Sequence, residues 1–499
     1  MKLSELLGCV TVSKMFQTMY GQMVVTQDIE ISHIQYDSRK VQHSDCFIAL
    51  KGASSDGHSF IQTSINQGAK VIVLQDETVL PDALCMHVGV VKVVVPDTRK
   101  ALSQISANYY GHPAKKLKFV GVTGTNGKTT TSHLMKSILE ASGEKVGLVG
   151  TIEYKIGDRV IPATHTTPES LELNQLFAEM VQEKCTAVSM EVSSHSLDQS
   201  RVHGLNFDAA IFTNLTQDHL DYHNTMEKYF EAKKSLFTSL KADNYAIINH
   251  DDRWGCKLLE SITGKKYSYG ITSTSDMQVT DMKLGIDGTT FQVRNGIGEF
   301  LLTTPLIGRF NVYNSLAAYS AGVSLGIPRD QVIKGIGNLK NVRGRFERIS
   351  SPTGWTAIVD YAHTPDALEN CLKTIHEILP AKSRGRIITV FGAGGDRDKT
   401  KRPMMGQIAG DYSDIVIVTS DNPRTEDPEK IIDEIMHGII RRASVLREVN
   451  RQTAIERAIH GAQRGDVILI AGKGHEDYQI IGTQKKHFSD REIVESMIA

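Results

Sequence analysis

The stretch Phe119-Val-Gly-Val-Thr-Gly-Thr-Asn-Gly-Lys-Thr-Thr-Thr131 leaves the middle of this chain few ways to fold. An apolar run, Phe119 to Val122, stops at a turn rich in Gly and Thr, and a helix-forming stretch follows from Ser132 to Ala141. Strand, loop, helix is the natural order. Such a loop turns backbone N–H groups and a helix N-terminus toward one point, where they can hold phosphate. Lys128 would neutralise the β- and γ-phosphates, and the Thr129 hydroxyl would bind Mg²⁺. The full Walker pattern lacks its first glycine, because position 122 is Val122. The plainer alternative is an ordinary tight turn between strand and helix.

A length of 499 residues suggests about three domains. The first segment carries short β-rich runs (Cys46–Leu50, Val71–Leu74, Val91–Val95) and ends at Pro96 and Asp97. The second has buried-type strands at Phe119–Val122, Lys145–Val149, Ala187–Val192, Ala209–Thr213 and Tyr245–Asn249, mostly separated by helical stretches. That alternation argues for a parallel sheet covered by helices. From about Gly264 to Thr304 short alternating strands suggest a small antiparallel patch, and Asn311–Gly326 reads as a helix. Strands at Thr356–Val359, Arg386–Phe391, Ile415–Thr419 and Val467–Ala471 form a third segment. The expected class is α/β in three domains. A smaller N-terminal α/β domain (1–97) precedes a central P-loop-type, mostly parallel sheet with helices (98–345) and a C-terminal Rossmann-like α/β domain (346–499).

Formal net charge is −1, so there is no basic field of the kind many nucleic-acid binders carry. The first residues show no signal-peptide pattern and no stretch approaches a membrane span. The six cysteines are scattered, without a Cys-x-x-Cys pair. A cytoplasmic protein is expected, and nothing demands more than a monomer.

Polar clusters sit at or just after the strand ends: Glu191-Val-Ser-Ser-His195, Asp360-Tyr-Ala-His363, Gly394-Gly-Asp-Arg397, Asp421-Asn-Pro-Arg424 and Gly472-Lys-Gly-His-Glu476. In open α/β sheets, ligands bind outside the carboxyl ends of the strands. Glu191 and Thr129 are plausible Mg²⁺ ligands, since Mg²⁺ needs only one or two carboxylates plus phosphate oxygens and water. His219 is a less usual partner, and a structural histidine is an equal reading. Lys233 lies on a helix, where lysines are usually solvated. Arg397 and Arg424 offer forks of donors that match a carboxylate, although surface salt bridging would serve as well for either alone. Pro423 stiffens the loop that carries Arg424.

With these residues in hand, the chain resembles the Mur ligases, ATP-dependent amide-forming enzymes of peptidoglycan precursor synthesis. Gly124-Thr-Asn-Gly-Lys-Thr-Thr130 looks like the family's ATP loop. Tyr36-Asp-Ser-Arg39, His165-Thr-Thr-Pro168 and Glu191-Val-Ser-Ser-His-Ser-Leu-Asp-Gln-Ser-Arg201 look like the branch that adds the third residue of the stem peptide. Asp421-Asn-Pro-Arg424 is similar to that branch's recognition motif for meso-diaminopimelate.

The resemblance implies that Gly124, Thr125, Asn126, Gly127, Lys128, Thr129 and Thr130, with Asn314, Arg345 and Asp360, contact ATP. It implies that Ser38 and the Ala53-Ser54-Ser55 turn hold the uridine end of a UDP-linked muramoyl dipeptide. Thr166, Thr167, Ser193, Gln199 and Arg201 would hold its sugar and peptide portion. Lys233 matches the family's carbamylated lysine, which would help position Mg²⁺ beside Glu191 and His219. Arg397, Asp421, Asn422, Pro423, Arg424, Gly472 and Glu476 match the diaminopimelate pocket. The implied reaction passes through an acyl phosphate, with Lys128, Lys233, His219 and Glu191 as the catalytic set. A lysine-adding relative, a folylpolyglutamate synthase-like ligase and a nucleotide-binding protein without ligase activity are the alternatives.

Overall fold

The structure, a computed structural model, describes residues 1–16, 18–19, 22–23, 28–52, 55–379, 385–440 and 443–498. Two of the expected substrate-binding positions, Ala53 and Ser54, lie outside the described residues. The chain forms two compact units: Met1–Lys128, Leu139–Ser268 and Ser320–Ile327 make one, and Thr129–Ile138, Tyr269–Tyr319 and Pro328–Ala499 the other.

Among the described residues the first unit holds a two-stranded ribbon, Thr18–Met19 with Gln22–Met23, and two main sheets. In the smaller, strands run in the order Lys14–Phe16, Val91–Val94, Val71–Leu74, Cys46–Ile48 and Ile34–Gln35, with only Lys14–Phe16 antiparallel to its neighbour. Asp97 caps the following helix, Thr98–Tyr109, by accepting from the N–H groups of Arg99 and Lys100. The helix turns Ala101, Leu102 and Ile105 onto the core formed by Cys46, Ile48, Val71 and Val73.

In the larger sheet the parallel order is Val146–Val149, Ala187–Glu191, Lys118–Thr123, Ala209–Phe212, Tyr245–Asn249. These strands are near-continuous runs of buried residues, as a sheet covered on both faces requires. The antiparallel hairpin Glu153–Ile156 and Arg159–Pro162 extends the edge beside Val146–Val149. Register decides what this sheet can do. Glu191 pairs with Val122, and Phe212 with Thr123, so three strands end level with the Gly124–Gly127 loop.

In the second unit, Met277–Gly285, Gly288–Asn295 and Gly298–Thr304 form the expected antiparallel patch. Its first strand also pairs in parallel with Tyr269 and Gly270. A six-stranded sheet follows, ordered Glu347–Ser350, Thr356–Asp360, Val467–Ala471, Ile387–Phe391, Ile415–Val418, Ser444–Arg447, and only Glu347–Ser350 is antiparallel. Helices Pro365–Ile378, Lys401–Tyr412 and Pro428–Met436 cover one face through Leu368, Leu372, Met405, Ala409 and Ile432. Helix Arg451–Gly461 covers the other through Ala454, Ile455 and Ala458. Each buried Leu, Ile or Met side chain here contributes about 1.5–3 kcal/mol. Asp360 pairs with Ala471, and Phe391 with Val418, so Tyr361, Gly472, Gly392 and Thr419 open loops along one edge. Among the described residues no helix is long and apolar enough to cross a membrane.

Candidate active site

The helix after the glycine-rich turn begins at Lys128, not at Ser132, and runs to Ala141. Three successive threonines are weak helix formers, so local propensity pointed later; the loop's own hydrogen bonds set the start. Gly124 has φ +149° and Gly127 φ +86°. A Cβ at Gly124 would also collide with the Thr213 hydroxyl, so no side chain is tolerated there. The loop is pinned from the next strand's end. Thr125 N donates to Asn214 O at 2.9 Å, Asn126 N to Asn214 Oδ1 at 2.9 Å, and Thr213 Oγ1 to Asn126 O at 2.6 Å. Lys128 Nζ lies over the loop, 2.9 Å from Gly124 O and 2.8 Å from Thr125 O.

Lys233 is not solvated. Helix Met226–Thr238, capped by Thr225, carries it into the interior, where it is 1% exposed. Its Nζ donates to Gly124 O at 3.0 Å and lies 4.6 Å from the Tyr229 ring centroid. Burial pushes the Lys233 pKa well down, the Lys128 ammonium adds to that, and Asp218 opposes it. His219 sits beside this group in a left-handed backbone conformation, φ +52°. Its ring is 4.9 Å from that of His195 and 6.2 Å from that of Tyr229. Burial lowers the pKa of His219, and that of His195 to about 4, with the neighbouring histidines adding to the latter. Tyr229 joins the two sets, because its hydroxyl is 3.2 Å from Thr125 Oγ1.

Glu191 is fully buried and held by Thr151, whose N–H and hydroxyl donate to Oε1 at 2.8 Å and Oε2 at 3.0 Å. The residues expected to hold the acceptor's sugar and peptide gather around it. Thr166 Oγ1 is 3.0 Å from Thr151 Oγ1, and Thr167 Oγ1 donates to Glu191 O at 2.9 Å. Ser193 N donates to Thr167 Oγ1 at 3.2 Å. Arg201 donates to Thr167 O at 2.8 Å and Gln199 Oε1 at 2.7 Å, and pairs with Glu169 at 2.9 Å. Ser38 is buried in the turn capped by Asp37, and its neighbour Tyr36 donates to Glu172 Oε1 at 2.7 Å. Ser55 accepts from Gly52 N at 2.9 Å. Thr151, Glu169 and Glu172 were not expected from sequence; Thr151 lies two residues past the strand end at Val149, and Glu169 and Glu172 lie at the start of a helix.

In the second unit, Thr129 O accepts from Ser132 Oγ at 2.9 Å, and the buried Thr130 follows it in the helix. Thr131 Oγ1 donates to Asn314 Oδ1 at 3.3 Å. Arg345 lies over the Tyr361 ring, 5.0 Å from its centroid, and its Nε is buried without a partner. Asp360 Oδ2 accepts from Phe346 N at 2.6 Å. Burial raises the Asp360 pKa, and Arg345 partly offsets this.

The Asp421–Arg424 loop is built into the strand-end edge. Asn422 Oδ1 accepts from Ile480 N at 2.9 Å, and its Nδ2 donates to Glu476 Oε2 at 2.9 Å. Gly472 has φ +116°, and a Cβ there would sit 2.6 Å from Asp421 Oδ2. Arg424, with φ +52°, donates from Nη1 to Gly395 O at 2.7 Å. Gly395 N donates to Asn422 O at 2.9 Å, while a Cβ on Gly394 would meet Arg424 Nη1 at 3.0 Å and Arg397 Cγ at 3.7 Å. The two arginines thus flank one glycine; Arg397 is exposed and Arg424 half-buried. A buried arginine behind them, Arg402, grips Glu426 with both terminal nitrogens at 3.0 Å. That holds the Glu426 carboxyl down at about 2.

Among the described residues no three His, Cys, Asp or Glu side chains are grouped as a metal site. The donor chemistry nevertheless suits Mg²⁺. Glu191 is a hard oxygen donor, and Mg²⁺ needs only one or two carboxylates beside water and phosphate. Lys233 fits only as a carbamate, since an amine is a poor ligand for that ion.

Three family descriptions match consecutive parts of the chain: the Mur ligase family catalytic domain over residues 30–110, the Mur ligase middle domain over 122–322, and the Mur ligase glutamate ligase domain over 344–474. The UDP-N-acetylmuramoyl-L-alanyl-D-glutamate–2,6-diaminopimelate ligase of Geobacter sulfurreducens is 47% identical over 485 residues, 93% of each chain. An enzyme of the same name from Clostridium acetobutylicum is 45% identical over 501 residues, covering 100% of this chain and 99% of its own. A solved structure titled as that ligase superimposes with a TM-score of 0.67 at 33% identity, covering 94% of both chains. The phosphate-loop edge, the buried lysine beside it and the full-length similarity agree, and the chain belongs to the Mur ligase family.

Proposed function

We propose that this chain is an ATP-dependent ligase that adds meso-diaminopimelate to the D-glutamyl γ-carboxylate of UDP-N-acetylmuramoyl-L-alanyl-D-glutamate. The observation that carries this is the second unit's strand-end edge. Arg424 shares a loop with Asp421 and with Asn422, which donates to Glu476, so the edge carries a cation for a carboxylate and anions for an ammonium group. A dicarboxylic amino acid has that pattern of charge.

The γ-carboxylate of the acceptor attacks the γ-phosphorus of ATP, the bond to the β-phosphate oxygen breaks, and an acyl phosphate and ADP result. The backbone of Gly124–Gly127 and Thr130 hold the phosphates, and Lys128 offsets charge on the transferring group. Asn314, Arg345 and Asp360 contact the rest of the nucleotide. Glu191, His219, the carbamate of Lys233 and the Thr129 hydroxyl would hold Mg²⁺, which when bound adds positive charge at the phosphates. Ser38, Ala53, Ser54 and Ser55 hold the uridine end of the acceptor. Thr166, Thr167, Ser193, Gln199 and Arg201 hold its sugar and peptide. The free amine of diaminopimelate, bound by Arg397, Asp421–Arg424, Gly472 and Glu476, then attacks the acyl carbon. Phosphate leaves and the nitrogen loses a proton. On this reading residues 1–97 serve the nucleotide end of the acceptor, 98–345 ATP and 346–499 the amino acid, in a cytoplasmic monomer that binds no nucleic acid.

Phosphate release with a panel of amino acids tests the reading. With the muramoyl dipeptide and ATP present, diaminopimelate should stimulate release, and lysine or glutamate should do so at least about 100-fold less. Release stimulated by lysine would make the chain a lysine-adding ligase, release stimulated by glutamate with a folate acceptor would make it a folylpolyglutamate synthase, and release indifferent to both substrates would remove ligase activity.

A further inference from the structure

Lys473 lies between two glycines in Gly472-Lys-Gly-His-Glu476 and is fully buried. Its Nζ is 3.2 Å from Asn422 Oδ1, 3.3 Å from Glu476 Oε2 and 3.7 Å from Asp421 Oδ1. The Tyr478 ring centroid is 5.5 Å away. One buried ammonium thus meets three side chains of the recognition edge. Burying a lysine strips it of hydration, which a structure tolerates only where partners offset the loss. Here they also gain from it. Asn422 is a side chain whose amide could flip; two donors on Oδ1, Lys473 Nζ and Ile480 N, fix its orientation and aim Nδ2 at Glu476. Asp421 and Glu476 would repel each other without the cation between them. With it, the cluster of two carboxylates and one ammonium keeps one net negative charge, which suits the ammonium group of an incoming amino acid.

We infer that Lys473 is a positioning residue for amino-acid recognition, acting through Asn422 and Glu476 and not by touching the reacting atoms. The inference rests on the assignment of this pocket to diaminopimelate. It also explains why a lysine is placed where no solvent reaches it.

The test uses the full chain and steady-state kinetics with each substrate varied. Lys473→Met keeps the length of the stem and removes the charge. It should raise the diaminopimelate KM at least about 10-fold, with the ATP KM within about 2-fold of the parent. Glu476→Gln and the double variant Lys473→Met/Glu476→Gln complete a cycle. If Lys473 acts through Glu476, the double variant should match the Glu476→Gln single variant instead of multiplying the two effects. The double variant also removes the carboxylate that Lys473→Met strands, so it keeps the comparison available if the single variant does not fold. An unchanged diaminopimelate KM in Lys473→Met, or fully multiplicative effects, would overturn the inference. An unchanged KM in Arg424→Ala as well would instead overturn the assignment of the pocket.

Discussion

Lys233→Ala is expected to lower kcat by about 10²–10³-fold, the usual loss when one preorganised charge-stabilising group leaves an active site. The side chain is buried against Gly124 O, in the loop that would carry the phosphates. Burial pushes its pKa down, and CO₂ adds to the neutral form of an amine. The product is a carbamate, which turns a cation into an anion and makes the position a ligand for a hard metal ion. Alanine leaves the buried space of the lysine side chain empty beside the loop. Formate or acetate should therefore restore part of the activity to Lys233→Ala, in a saturable way, and should not stimulate the parent protein. Carbamate in the parent should appear as a labelled carbonyl signal after exchange with ¹³C-bicarbonate, and be missing from the variant. Full activity in the variant would remove the carbamate from the account. The charge sign matters here: a simple ammonium would be mimicked by added amines, not by carboxylates.

The second large effect is expected at Arg424. Arg424→Ala should raise the diaminopimelate KM by about 10²–10⁴-fold and leave the ATP KM nearly intact. A site built to pair a polar group loses about that much discrimination when the pair cannot form. The guanidinium is already aimed by Gly395 O, and its loop is stiffened by Pro423 and tied to Ile480 through backbone N. Arg424→Lys should recover little, because an ammonium has no planar fork to match a carboxylate. The preference for diaminopimelate over lysine should collapse in Arg424→Ala, since lysine has no second carboxylate to lose. Kinetics equal to the parent would take Arg424 out of the pocket.

Much of this was legible in the residues. The apolar run ending at Gly124 and the helix beyond it announced the loop, and the polar clusters lay at strand ends because β-α alternation puts them there. The short edge strands were not legible. Glu347–Ser350 and Ser444–Arg447 carry charged and polar residues, and edge positions impose no apolar pattern. The Glu153–Pro162 hairpin was equally hidden. The burial of Lys233 and Lys473 was unreadable for a different reason. A lysine on a helix or in a loop is usually solvated, and only tertiary packing shows that these two are not. The positive φ of His219, Arg424 and Asp396 belongs to the same class, since nothing in their side chains requires it.

The most direct measurement is mass spectrometry of the product formed from the UDP-linked muramoyl dipeptide and ATP with diaminopimelate and lysine in equal amounts. The account predicts a single new species, the acceptor plus one diaminopimelate less one water, with one ADP and one phosphate formed per amide. A lysine adduct as the main species, or ADP and phosphate released with the acceptor's mass unchanged, would contradict it.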